Sequence, residues 1–241
     1  KDLFRRIDFA VLDRTQDQYN FKEFYRNFAF DNFYRDEDQQ EMDEAMKRIR
    51  EKEINLNKIR GSLAGGAVGD ALGYAVEFWG EEQIFGKYGE RGITEYELDS
   101  FTGKALISDD TQMTLFTANG LLVGDTRGAM RGIQGWPRHY VAQAYQDWLY
   151  TQECPFDKQK IQDRRGNYSC RSWLADVPEL YSSRAPGNTC LSALSAQKNG
   201  KDFVNDYVKE PQNQSKGCGG IMRVAPVALN YKHMEMGTLD M

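Results

Sequence analysis

Seven consecutive residues, Ser108-Asp109-Asp110-Thr111-Gln112-Met113-Thr114, place two adjacent carboxylates among hydroxyls where an apolar helical stripe begins. Ser108 can act as the N-cap by accepting a hydrogen bond from the first turn, and Asp109 and Asp110 then lie at the positive end of the helix dipole. Adjacent side chains on a helix diverge by about 100°. One buried face cannot take both, so at least one carboxylate must look into a cavity or toward a cation. Hard divalent ions such as Mg2+ or Mn2+ bind this kind of oxygen cluster. From the residues alone, capping and metal binding both stand.

Two further stretches have residue types that do chemistry. Gly61, Gly65, Gly69 and Gly73 recur every four residues, with Ala64, Ala67 and Ala71 between them. Each glycine inside a helix costs about 1 kcal/mol relative to alanine, so the bare face calls for a close neighbour or a ligand. Asp70 interrupts this segment and Glu77 follows seven residues later on nearly the same face. Asp70 reads equally as a ligand contact or a structural hydrogen-bond acceptor, whereas Glu77 reads as part of a metal site. Near the end, Ser215-Lys216-Gly217-Cys218-Gly219-Gly220-Ile221-Met222-Arg223 is a glycine-rich loop entering an apolar segment. Successive backbone N–H groups in such a loop can form a concave anion site, to which Lys216 and Arg223 add positive charge. A plain turn would need the same glycines.

The elements that position these residues read as helices. No sustained alternation of polar and apolar residues occurs, so the class is all-α. A helix over 36–53 has acids before bases, as the dipole prefers. A small-residue helix spans 59–76, a long loop 80–107, and a helix runs from Ser108 to a stop at Gly124. Another helix follows Trp136-Pro137 with Val141, Ala144, Tyr145 and Trp148 as its core stripe, and one capped by Asn188 runs toward Gly200. The polar stretch 153–170, with Lys158, Lys160, Arg164 and Arg165, reads as a solvated excursion or an anion-attracting patch. In the first 35 residues, Phe21, Phe24, Tyr25 and Phe28 follow the spacing of an amphipathic helix, which either packs on the chain's own domain or docks on another protein.

With 241 residues and 40% hydrophobic content, the chain can bury a substantial core. A net charge of −5 gives no general footprint for nucleic acid or an anionic membrane. No apolar run approaches the roughly 20 residues of a membrane span. Cys154, Cys170, Cys190 and Cys218 have neither zinc-site nor disulfide-framework spacing, so reduced thiols and a cytoplasmic location are expected.

The order of the motifs Gly69-Asp70-Ala71-Leu72-Gly73 with Glu77, Ser108-Asp109-Asp110-Thr111, Gly187-Asn188-Thr189-Cys190 and Ser215 to Pro226 resembles the ADP-ribosylglycohydrolase family over about residues 56–241. The resemblance implies an orthogonal all-α bundle with two Mg2+ or Mn2+ ions that removes ADP-ribose from modified protein side chains. It further implies that Ser108, Asp109 and Asp110 ligate metal. Glu77 and Asp110 are then the candidate proton-transfer groups, and Ser215, Lys216, Gly217, Cys218, Gly219, Gly220 and Arg223 hold the diphosphate. The family's second ligand group, an Asp-x-Asp followed by Ser or Thr, has no counterpart after the glycine loop, so this chain is expected to hold only part of a metal site and to be inactive alone. Residues 1–55 form an extension in front of this domain. Some family members neutralise ADP-ribosylating toxins, and an extension that plugs such a toxin is the alternative reading, with the ADP-ribosyltransferase toxin as partner beside the ADP-ribosylated protein.

Overall fold

The computed structural model describes residues 36–132, 135–198 and 214–230, and the aromatic stripe at Phe21 to Phe28 lies outside them. The chain divides into two compact units, Lys1–Leu56 and Asn57–Met241. Among the described residues there is no strand, as the all-α reading anticipates. None of their helices is long and apolar enough to cross a membrane.

Helix α1 covers Asp36–Gly73 without interruption, where the sequence suggests two separate helices. In its first unit the exposed Glu44 and Arg48 pair at 3.5 Å, an i,i+4 arrangement that follows from acids preceding bases. Of the two occupants that the glycine face calls for, a close neighbour is not found among the described residues. A Cβ built on Gly61, Gly65, Gly69 or Gly73 meets no described atom within 4 Å, so no described element makes the expected close approach. After a 3-10 turn, Tyr74–Val76, comes a correction: α2, Glu81–Tyr88, lies inside the stretch read as loop. Its start is fixed locally, because Gln83 Oε1 accepts the Gly80 N–H at 3.0 Å, and Glu81, Glu82 and Lys87 match the dipole.

The core is built on α3, Asp109–Arg131, and α4, Pro137–Glu153. Met113, Phe116, Ala144, Trp148 and Leu149 interlock between them, joined by Leu174, Leu180, Cys190 and Leu194 from later elements. Met113, Phe116 and Trp148 are fully enclosed, which stabilises the fold by about 2 kcal/mol for each. Trp148 Nε1 is satisfied by Gln112 Oε1 at 3.0 Å, and Gln112 in turn donates to the Ser182 carbonyl at 3.0 Å.

Gly124 does not end α3. The stop is Gly132, whose φ of 66° is the left-handed conformation of a C-cap. Gly120 and Gly124 instead lie within the helix and let α4 approach it. A Cβ on Gly120 would stand 2.6 Å from Val141 Cα and 2.9 Å from the Tyr140 carbonyl oxygen, both backbone atoms that cannot swing away. Gly120→Ala is therefore expected to push the helices apart at a cost of about 1–3 kcal/mol, measurable as a lower denaturation midpoint.

The polar stretch becomes α5, Lys158–Gly166, capped by Asp157, whose Oδ1 accepts the Gln159 and Lys160 N–H groups at 3.0 and 3.1 Å. Its arginines are committed internally. Arg164 reaches the buried Asp147 at 3.3 Å and Arg165 reaches Asp176 at 2.6 Å, so neither remains a free anion-attracting charge. Asp147 also accepts the backbone N–H groups of Arg171 and Ser172 at 3.0 and 2.9 Å, which ties α4 to the 3-10 turn Trp173–Asp176. Helix α6, Asn188–Lys198, and the short α7, Ala225–Asn230, complete the described elements. All four cysteines are free thiols, as their spacing suggests.

Candidate active site

The start of α3 is a convergence point for three distant stretches of chain. Ser108 is its N-cap, with Oγ accepting the Asp110 N–H at 3.1 Å. Asp70, from α1, aims one carboxylate oxygen at the same turn. Its Oδ2 accepts the Ser108 N–H at 2.9 Å, the Thr111 N–H at 3.2 Å and the Thr111 hydroxyl in a short bond. Of the two roles open to Asp70, the structural one is filled: it caps a helix to which it is not attached.

Asp109 is held from the other side by the 184–187 loop. Its N–H donates to the Arg184 carbonyl at 2.9 Å, and its Oδ2 accepts the Gly187 N–H at 3.2 Å. Between those two contacts, Ala185 has a φ of 53°, a left-handed conformation that costs a non-glycine residue on the order of 1 kcal/mol. The loop is thus bent to meet Asp109 on both its backbone and its side chain. A single sequence has no visible signal for this, because alanine is not a turn residue.

Asp109 is buried, Asp110 is half-buried and Glu77 is exposed. All three carboxyls titrate above their ordinary range. For Asp110 the main cause is burial, followed by repulsion from Asp70. For Glu77, exposed as it is, the first cause is partial desolvation by its surroundings, then repulsion from Asp110, Asp109 and Asp70. Burial dominates for Asp109 too, partly opposed by the Gly187 hydrogen bond and reinforced by Asp110 and Asp70. Four carboxylates, Asp70, Glu77, Asp109 and Asp110, therefore share one electrostatic neighbourhood, and no cation figures among the causes of these shifts.

The glycine-rich loop approaches from α6. Cys218–Gly220 is a single 3-10 turn, and a Cβ on Gly219 would stand 2.6 Å from Cys190 Sγ, so a larger residue there would have to displace that thiol. Burial pushes the Cys190 thiol up. Ser215, Lys216, Gly217, Cys218 and Gly220 are exposed, and Ser215 Oγ accepts the Gly217 N–H at 3.2 Å. Arg223 turns inward. Its guanidinium lies 4.4 Å from the Tyr145 ring centroid and 3.2 Å from Met113 Sδ, while the Met222 carbonyl accepts the Thr114 hydroxyl at 3.0 Å. These contacts seat the loop's exit on α3, one turn beyond the acidic pair.

The donor set of Ser108, Asp109 and Asp110 is all hard oxygen, the chemistry that Mg2+ or Mn2+ takes. Among the described residues, no three or more His, Cys, Asp or Glu side chains converge closely enough to hold an ion by themselves. These residues thus fit part of a coordination shell.

The domain is all-α among the described residues, gathers carboxylates at one helix start and seats a glycine loop on the same helix. Residues 51–239 match the family model described as ADP-ribosylglycohydrolase, and the chain belongs to that family. No curated protein and no solved structure matches the chain significantly.

Proposed function

We propose that the protein is a divalent-metal-dependent hydrolase that releases ADP-ribose from modified protein side chains. The observation that carries this reading is the gathering of Asp109 and Asp110 at one helix start with Glu77 in their field, the proton affinities of all three raised by burial and by the charge of Asp70, within a member of this family. Ser108, Asp109 and Asp110 would hold Mg2+ or Mn2+. When bound, such an ion offsets the carboxylate repulsion and supplies Lewis acidity and a more acidic water.

The chain's own residues do the rest. The Arg184 carbonyl and Gly187 N–H fix the orientation of Asp109, so a ligand oxygen is preset before anything binds. Glu77, exposed beside the acidic pair and with raised proton affinity, can take a proton from an attacking water or return one to the leaving group. The exposed backbone of the 215–220 turn presents N–H groups to an anionic diphosphate.

The direct test is release of ADP-ribose from an ADP-ribosylated protein in Mg2+ or Mn2+, with a chelator control, by a version of the protein that has the complete set of metal ligands. Glu77→Gln is expected to lower turnover by about 10²–10⁴-fold without lowering the melting temperature, because the exposed Glu77 side chain makes no described hydrogen bond and its ionised form is repelled by Asp110, Asp109 and Asp70. Release that survives both the chelator and this substitution would refute the reading.

A further inference from the structure

We propose that residues 78–101 form a docking surface for a basic, arginine- and lysine-bearing polypeptide segment. Six large apolar side chains here face solvent: Phe78 at 75%, Trp79 at 38%, Phe85 at 44%, Tyr96 at 45%, Leu98 at 62% and Phe101 at 96% exposure. Exposed apolar side chains grouped in this way mark interaction sites, and aromatic residues are the favoured anchors of such sites. The segment is tied together as one platform. Trp79 stacks on Tyr88 at 6.2 Å, Tyr88 donates to Glu97 at 2.8 Å, and a Cβ built on Gly92 would stand 3.8 Å from Ile84 and 4.0 Å from Phe85.

Its charge says what kind of partner fits. Residues 77–101 contain seven acidic side chains against two basic ones, an excess as large as the whole chain's net −5. Acidic side chains among open aromatic rings suit guanidinium and ammonium groups, which gain from carboxylates and ring faces together. The platform already holds one such group in cis. Lys87 Nζ lies 5.0 Å from the Trp79 centroid and 4.9 Å from the Tyr88 centroid, and 2.6 Å from Glu97 Oε1. The same excess of acid disfavours nucleic acid.

The surface adjoins the candidate active site. Phe78 follows Glu77 directly, and Asp99 lies within the field of Arg184, whose carbonyl accepts the Asp109 N–H. A segment bound at the Phe78 end of this stretch would therefore lie next to Glu77. This deepens the hydrolase reading by naming the chemistry of the acceptor protein; it rests on that reading for the role of the bound segment but not for the binding itself.

The test titrates the full chain into a fluorescein-labelled, unmodified 15-residue peptide of Arg, Lys, Gly and Leu, with a control in which Glu replaces Arg and Lys. Binding of the basic peptide alone is expected, weakened about tenfold or more by Phe101→Ser with Phe78→Ser, and separately by Glu90→Lys with Glu95→Lys. Asp109→Asn should leave it unchanged, so loss of hydrolysis and loss of docking are distinguishable. Equal binding of the acidic peptide, or unchanged affinity in both patch variants, overturns the proposal. So does a fall in melting temperature well beyond about 2 °C in Phe101→Ser, because the patch would then be buried against the chain's own further residues. A concentration-dependent dimer dispersed by the same variants overturns it in favour of a second copy as occupant.

Discussion

In a version of the protein that has the complete set of metal ligands, replacing Asp109 and Asp110 together by Asn is expected to reduce ADP-ribose release by several orders of magnitude while making the metal-free protein more stable at neutral pH. The substitution keeps side-chain volume and leaves Oδ acceptors for the Gly187 N–H. Asn caps a helix about as well as Asp, and the dipole contribution lost at the first turn is only about 0.3–1 kcal/mol. Both carboxyls titrate above their ordinary range, chiefly through burial, so the folded state holds their protons more tightly than the unfolded chain does. A group with a raised folded pKa contributes stability that is complete below its unfolded pKa and is lost as pH rises through the folded one. The ionised pair therefore destabilises the wild type at pH 7, and the Asn variant escapes that loss. The melting-temperature difference should shrink as pH falls and vanish below about pH 4, where the wild-type carboxyls are protonated in both states. Added Mg2+ or Mn2+ should raise the wild-type melting temperature and leave the variant's unchanged. A variant with near-normal turnover would show that the pair only caps the helix.

The acidic pair was legible because its determinants are local. Ser-Asp-Asp before an apolar stripe specifies an N-cap whatever lies elsewhere, and Ser108 takes that role. The Lys158–Gly166 helix was missed for a related reason: its cap, Asp157, is local, but its arginines are explained only by Asp147 and Asp176, the former buried on another helix. Gly124 resembled a stop because glycine both ends helices and permits close crossings, and the choice depends on Tyr140 of α4, which packs against it. The open Gly61 to Gly73 face shows the converse. A small-residue stripe states that something can come close without stating what does. The class and the core helices followed from periodicity, whereas the contacts that orient Asp109 span 75 residues or more of chain and depend on Ala185 in an unfavourable conformation.

Asp70 is the least replaceable side chain of the site, and Asp70→Ala is expected to destabilise the protein by about 3–5 kcal/mol. One oxygen accepts three donors at the start of α3: two backbone N–H groups and the Thr111 hydroxyl. Ser108 and Thr111 are themselves buried, so water cannot readily replace the lost acceptor, and each stranded donor costs about 1–3 kcal/mol. Asp70→Asn separates charge from geometry. Its amide oxygen can still accept from the two backbone groups, but the charge-assisted part of each bond is lost, so about half the penalty is expected. The same substitution removes one of the charges that repel Glu77, Asp109 and Asp110, so the proton affinity of all three should fall. A purely structural residue would lower stability and leave the pH dependence of stability in place. If Asp70→Asn shifts that dependence toward lower pH while Thr111→Val lowers stability without shifting it, Asp70 both anchors α3 to α1 and sets the electrostatics of the acidic pair. If the two variants behave alike, its charge acts only through the hydrogen bonds it accepts.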